Sequence, residues 1–175
     1  MWYHGVGILD LSILILLDAY GDFMICTFFG HKDTPMEIES ILRKALIYLI
    51  ENKKVDLFYV GNQGNFDSIV LKTLKLLQLN YPFIDYAVVL AYMPDSKKQA
   101  DYPENIHTVY PEGFEKIPPK YAINKQNEWM LNHSDYVVTY VRYTTGGAFK
   151  FKEIAEKKSK KVLNLADFDE INKFK

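Results

Sequence analysis

Apolar runs of strand length alternate with stretches of helical period from Phe23 onward, and this alternation constrains the fold more than any other feature. FMICTFF (23–29) has the length of a buried strand. In the stretch that follows, Ile38, Ile41, Leu42, Ala45, Leu46, Leu49 and Ile50 keep a helical period. Thr34, Pro35 and Glu37 form a helix-start signature, with Thr to cap, Pro at the first helical position and Glu to reach back. VDLFYV (55–60) predicts a second strand, and Phe66, Ile69, Val70, Thr73, Leu74 and Leu77 predict the helix behind it. IDYAVVLAY (84–92) reads as a third strand. Ile123, Asn127, Met130 and Leu131 then share one face of a helix, and DYVVTYVR (135–142) is a fourth strand. After Gly146 and Gly147, AFKFKEIAEKKSK is helical and KVLNL (161–165) is a fifth strand.

Residues 93–119 hold five prolines and no periodicity, which reads as one long connection. Loops of that length serve as lids or binding elements, or as plain surface excursions. The alternation predicts an α/β, Rossmann-like three-layer domain with a mostly parallel sheet of about five strands, because parallel strands need crossover connections. Residues 23–175 form this single domain, with no internal repeat. In such sheets ligands sit beyond the carboxyl ends of the strands, at the topological switch point.

Charge and cysteine usage narrow the function classes. With 21 Lys plus Arg against 22 Asp plus Glu, the net charge of -1 argues against a general electrostatic grip on nucleic acid. The lysine-rich segment 150–161 reads as a solvated helix face. The lone cysteine, Cys26, lies inside an apolar run and reads as a small buried residue; no Cys/His cluster has zinc spacing. The expectation is a protein with no metal and no cofactor in a reducing, cytoplasmic setting. Residues 1–22 stand apart. Their apolar core, Ile13 to Leu17, is flanked by Asp10 and Asp18 and falls well short of the roughly 20 apolar residues that span a membrane. No Lys or Arg precedes it, as a secretory signal requires. The segment is expected to be an added leader, with an extra edge strand or a packing arm as alternatives.

Three strand-to-helix turns carry unusual residues that this fold gathers at one end. They are Gly30-His31-Lys32-Asp33, the stretch from Gly61 and Asn62 through Gly64 to Asp67, and Thr144-Thr145-Gly146-Gly147. Glycine lets the backbone approach a ligand, and free amides at a helix N-terminus favour an anion. The glycines and Lys32 therefore suit a phosphate. Asp67, in the first turn of its helix, either steadies the helix dipole or accepts hydrogen bonds from ribose hydroxyls.

Read in order, CTFFGHKDTP, FYVGNQGNFD, the Asn127–Met130 pair followed by SDYVVTYV, and GGAFKFKEIAEKK resemble the DUF1273-type, YspA-like members of the SLOG superfamily, over residues 24–166. That superfamily is named for the Smf/DprA and LOG proteins. The resemblance implies a Rossmann-like fold that binds nucleotides or nucleotide-derived ligands, with Gln126 and Asn127 among the ligand-binding positions. It also implies two-fold pairing through a helix face, as in LOG relatives. LOG enzymes hydrolyse the N-glycosidic bond of cytokinin riboside monophosphates with a PGGxGTxxE loop and an arginine four residues before a methionine. On that pattern Gly146 and Gly147 match the paired glycines, and Glu153 takes the catalytic glutamate position. Thr145 replaces the proline, Phe149 the third glycine and Lys150 the threonine, while neutral Gln126 occupies the arginine position.

The leading expectation is thus a module that binds a nucleotide or a nucleotide-derived small molecule. A hydrolase of the nucleotide phosphoribohydrolase or N-glycosidase type, using Glu153, is the second reading. For Glu153 the plain alternative is a solvent-facing residue paired with Lys157. A protein-interaction domain, with Tyr102 and Tyr110 on its long loop, is the third. Trp129 is expected to pack, with stacking on a base as its alternative.

Overall fold

The computed structural model describes residues 23–93 and 106–167. The leader expected at 1–22, the polar tail and Tyr102 lie outside the described residues. The elements run β1 (Met24–Gly30), a 3-10 turn (Met36–Ile38), α1 (Glu39–Lys53), β2 (Val55–Val60), α2 (Asn65–Gln78) and β3 (Asp85–Val89). They continue with β4 (His107–Val109), a second 3-10 turn (Phe114–Lys116), α3 (Pro119–Asn132), β5 (Tyr136–Tyr140), α4 (Gly146–Lys157) and β6 (Lys161–Asn164).

The strands form one six-stranded sheet in the order β4-β3-β2-β1-β5-β6, and every neighbouring pair is parallel. The sequence reading is one strand short. β4 lies inside the stretch taken as an unbroken connection, pairing Ala87 with His107 and Val89 with Val109. Three residues at a sheet edge are too few to show a period, and prolines flank them.

Period-two alternation builds the three layers. Cys26 and Phe28 of β1, Phe58 and Val60 of β2 and Val138 of β5 pack against Leu42, Leu46 and Ile50 of α1 and Phe66, Ile69 and Leu74 of α2. Phe29, Leu57, Tyr59, Ala87 and Val137 point the other way, onto Met130 and Leu131 of α3 and Phe151 and Ala155 of α4. Parallel strands buried on both faces read as continuous apolar runs, as these do.

Helix α1 starts differently from the sequence reading. The Thr34 hydroxyl donates to the His31 carbonyl at 2.6 Å instead of capping. No side-chain hydrogen bond caps the 3-10 turn, whose N-cap residue is Pro35, and regular α-helix begins only at Glu39. Thr34 thereby closes the turn that follows β1.

From β1 the chain steps outward through β2, β3 and β4, then returns to place β5 on the opposite side of β1. The switch point therefore lies between β1 and β5, where the connections leave in opposite directions and open a crevice.

Candidate functional site

A cavity of about 320 Å³ occupies this crevice. The turn after β1 contributes Gly30, His31 and Lys32, the β2–α2 turn contributes Gln63, Gly64 and Asp67, and the start of α4 contributes Gly146, Gly147 and Ala148. Ile123, Asn127 and Met130 of α3 close one side, and Phe28, Phe29 and Phe66 supply apolar surface. The helical spacing of Ile123, Asn127 and Met130 puts them on one face. Leu131 shares the buried side of the helix with Met130, both packing in the core beneath, though only Met130 also reaches the cavity.

The glycines do two different jobs. A Cβ on Gly30 would lie 2.2 Å from Cγ of Phe66, one on Gly61 2.9 Å from Oδ2 of Asp67, and one on Gly64 2.9 Å from the Lys32 Cα. Gly30 and Gly64 let the β1 turn close on the β2–α2 segment, and Gly61 leaves room for the Asp67 carboxylate within that segment. The amide of Asn65 donates to the Lys32 carbonyl at 3.1 Å across the same approach. Gly146 has φ +91°, a left-handed conformation that glycine adopts without strain. A Cβ on Gly146 or Gly147 would meet nothing within 4 Å, so these two, on the cavity wall, border open space. Thr145, the N-cap of α4, makes no side-chain capping hydrogen bond.

Asp67 reaches back from the first turn of α2 and accepts the amide of Gln63 at 2.7 Å, with Gly64 as a second backbone donor. This is one half of a capping box, in which a carboxylate at the third helical position satisfies amides ahead of the helix. Burial raises its carboxyl from the ordinary 3.8 to about 6, against the pull of those two amides. Among the described residues it is the carboxylate that lines the cavity.

His31 ties the two sides of the switch point together. Its Nε2 accepts the backbone amide of Arg142 at 3.2 Å, which leaves the ring proton on Nδ1, and its ring lies 5.2 Å from that of Tyr143. Asn164 of β6 steadies the residue before Arg142: its Oδ1 accepts the Val141 amide and its Nδ2 donates to the Val141 carbonyl. Lys32 is exposed and makes no ion pair among the described residues.

Gln126 is fully buried and off the cavity wall. Its Nε2 donates to the Val89 carbonyl and, at 3.3 Å, to Oδ1 of Asn62, which also accepts from Gln63 Nε2 at 2.6 Å. The amide therefore joins the end of β3 to the loop that carries Gln63. An arginine here would bury its charge among neutral acceptors, which is costly. Its Oε1 has no hydrogen-bond partner among the described residues.

Of the positions singled out by sequence, Gly30, His31, Lys32, Gly64, Asp67, Asn127, Gly146 and Gly147 line the cavity. Gly61, Asn62 and Gln126 stand behind that wall as supports. Glu153, one turn and more into α4, is not among the lining residues and makes no ion pair among the described residues; the α4 pair joins Lys152 to Glu156 at i+4. Trp129 packs between Tyr59 and His133, with ring centroids 5.1 and 4.0 Å away. Cys26 is completely buried, and burial pushes its thiol up, far from a nucleophile's range. No three His, Cys, Asp or Glu side chains among the described residues are placed to hold a metal ion, and no described helix is long and apolar enough to cross a membrane. The sequence reading named Gln63 only as part of its turn and passed over the Phe28–Phe29 pair as site residues. Their signal, a position at or just beyond a strand's carboxyl end, is plain only once the switch point is known.

Neither a family model nor a curated protein matches the chain. Among solved structures, DNA processing protein A (DprA) from Streptococcus pneumoniae matches with a TM-score of 0.58 at 16% identity. The match covers 80% of this chain and 49% of that one, so this chain spans about half the length of its neighbour. At that identity the similarity shows the fold alone, a Rossmann-like α/β domain.

Proposed function

We propose that the chain is a binding module of the SLOG superfamily, in its DUF1273/YspA-like group, that holds a nucleotide or a nucleotide-derived small molecule at the carboxyl ends of β1 and β5. One observation carries this reading: the switch-point cavity is bordered by the α4 N-terminus, whose N-cap Thr145 makes no side-chain capping hydrogen bond, and by Lys32, which makes no ion pair among the described residues. Uncapped helix amides and a cation together favour a phosphate. The apolar surface of Phe28, Phe29, Phe66 and Met130 suits a base or sugar face. A volume of about 320 Å³ is at the small end of ligand sites, which run from roughly 300 to 1,000 Å³, and favours a mononucleotide over a dinucleotide.

No observation favours hydrolysis through Glu153. A long nucleic acid is also the weaker reading, given a compact cavity and a net charge of -1. The test is a thermal-shift screen against nucleoside mono-, di- and triphosphates and ADP-ribose. A ligand at 100 times its dissociation constant stabilises by about 2.7 kcal/mol, a rise of roughly 5–10 °C for a chain of this size. A flat screen at millimolar ligand refutes the reading.

A further inference from the structure

The residues that border the cavity combine groups that attract an anion with one that repels it. Among the described lining residues the titratable side chains are His31, Lys32 and Asp67; α3 contributes only Ile123, Asn127 and Met130, and α4 only Gly146, Gly147 and Ala148. The Nε2 lone pair of His31 is taken by the Arg142 amide. Lys32 and ionised Asp67 carry opposite formal charges. They do not cancel as fields. Lys32 is exposed, so water and salt screen it, whereas Asp67 is partly buried beneath Gly61 and bonded to the Gln63 amide.

We propose that Asp67 selects the charge state of the ligand's phosphate, so that the cavity takes a singly charged phosphate, a diester or a monoester in its monoanionic form, in preference to a doubly charged one. This rests on the nucleotide reading above. A first negative charge is met by Lys32 and the α4 amides. A second finds no further cation among the described lining residues and meets the Asp67 carboxylate. A cavity of 320 Å³ is roughly 7 Å across, and at an effective dielectric of about 20 that repulsion is worth roughly tenfold or more in affinity. The raised Asp67 pKa of about 6 has the same origin, an anion in an enclosed place with only backbone amides for partners. The discrimination disappears in acid, where Asp67 takes up its proton and a phosphate monoester, with a second pKa near 6, loses its second charge.

The experiment is calorimetric titration of the full chain with AMP, GMP, CMP and UMP and with the phosphate methyl ester of each. At about pH 7.5 the ester of whichever nucleotide binds is expected to be at least about tenfold tighter than its parent, and at about pH 5 the two are expected to bind within about threefold. Asp67→Asn is expected to remove most of the gap at the higher pH. Equal binding by the wild type at about pH 7.5, or a tighter monoester, overturns the proposal while leaving the nucleotide reading intact. A gap that persists in Asp67→Asn overturns the assignment to Asp67. Absence of binding by either class overturns this proposal, and the nucleotide reading falls with it only when the thermal-shift screen against di- and triphosphates and ADP-ribose is flat as well. The wild-type comparison needs no variant, so a poorly folded Asp67→Asn does not rescue the idea.

Discussion

Replacing Gly30 by alanine is expected to destabilise the protein severely, whereas the same change at Gly147 is expected to cost it nothing. The new methyl at position 30 would start 2.2 Å from Cγ, 2.3 Å from Cδ1 and 2.6 Å from Cβ of Phe66, where ordinary carbon contacts lie at about 3.5–4 Å. Phe66 is buried, with its ring stacked 6.5 Å from that of Tyr140. It has little room to retreat, so the β1 turn and α2 must separate. Overpacking of this kind costs about 1–3 kcal/mol, and the closeness here points to the upper end. At about 2–4 °C per kcal/mol for a chain of this size, the expected fall in Tm is roughly 6–12 °C. At Gly147 the methyl enters open space at the start of α4, and helix propensity favours alanine by up to about 1 kcal/mol. That methyl crowds the cavity mouth, so nucleotide affinity is expected to fall roughly tenfold while Tm holds or rises. Urea melts of both variants, with a Gly30→Ala/Phe66→Leu double mutant, check the reasoning. The double mutant is expected to be more stable than the sum of its singles by at least about 1 kcal/mol, because the smaller side chain frees the space. Additive costs, or a Gly30→Ala variant as stable as the wild type, refute it.

Other perturbations follow from the same geometry. The folded pKa of Asp67, about 6, exceeds its ordinary 3.8, so the folded state holds the proton more tightly and stability falls as pH rises between those values. Relative to the wild type, Asp67→Asn is expected to gain up to about 3 kcal/mol between about pH 4 and pH 7 in urea melts; parallel pH profiles would contradict this. Gln126→Leu strands the buried Val89 carbonyl and is expected to cost about 1–3 kcal/mol; an unchanged melting curve would show that the amide does not hold it. Cys26 is expected to react with a thiol reagent only at the rate of unfolding, and rapid labelling of the native protein would show that β1 opens locally.

Much of the fold was legible because burial repeats. All six positions read as the inner face of α2, Phe66 through Leu77, are buried, and β2 begins and ends where its apolar run does. β4 was hidden because three residues with exposed, buried and intermediate side chains carry no pattern. Thr34 was misjudged because its hydroxyl has two uses, and the His31 carbonyl lay within reach. In the site, turn chemistry identified the three loops. It could not divide their glycines into those that admit another part of the chain and those that border open space, because Phe66 meets Gly30 only through the packing of α2 on β1. Asp67 was legible as a first-turn carboxylate. Its enclosure was not, since that depends on Gly61 and on the loop closing over it. The resemblance that set Gln126 at the position of a LOG arginine and Glu153 at that of the catalytic glutamate concerns side chains, whereas the structural neighbour shares only the fold.

The central claim is that the ligand sits between β1 and β5, and amide chemical-shift mapping during nucleotide titration tests it most directly. The account predicts that shifts concentrate at Gly30–Lys32, Gln63–Asp67 and Gly146–Ala148, the three turns that meet at the cavity. Shifts concentrated instead around exposed Leu79 and Phe83, or along the lysine-rich 150–161 segment with these turns unmoved, would contradict it.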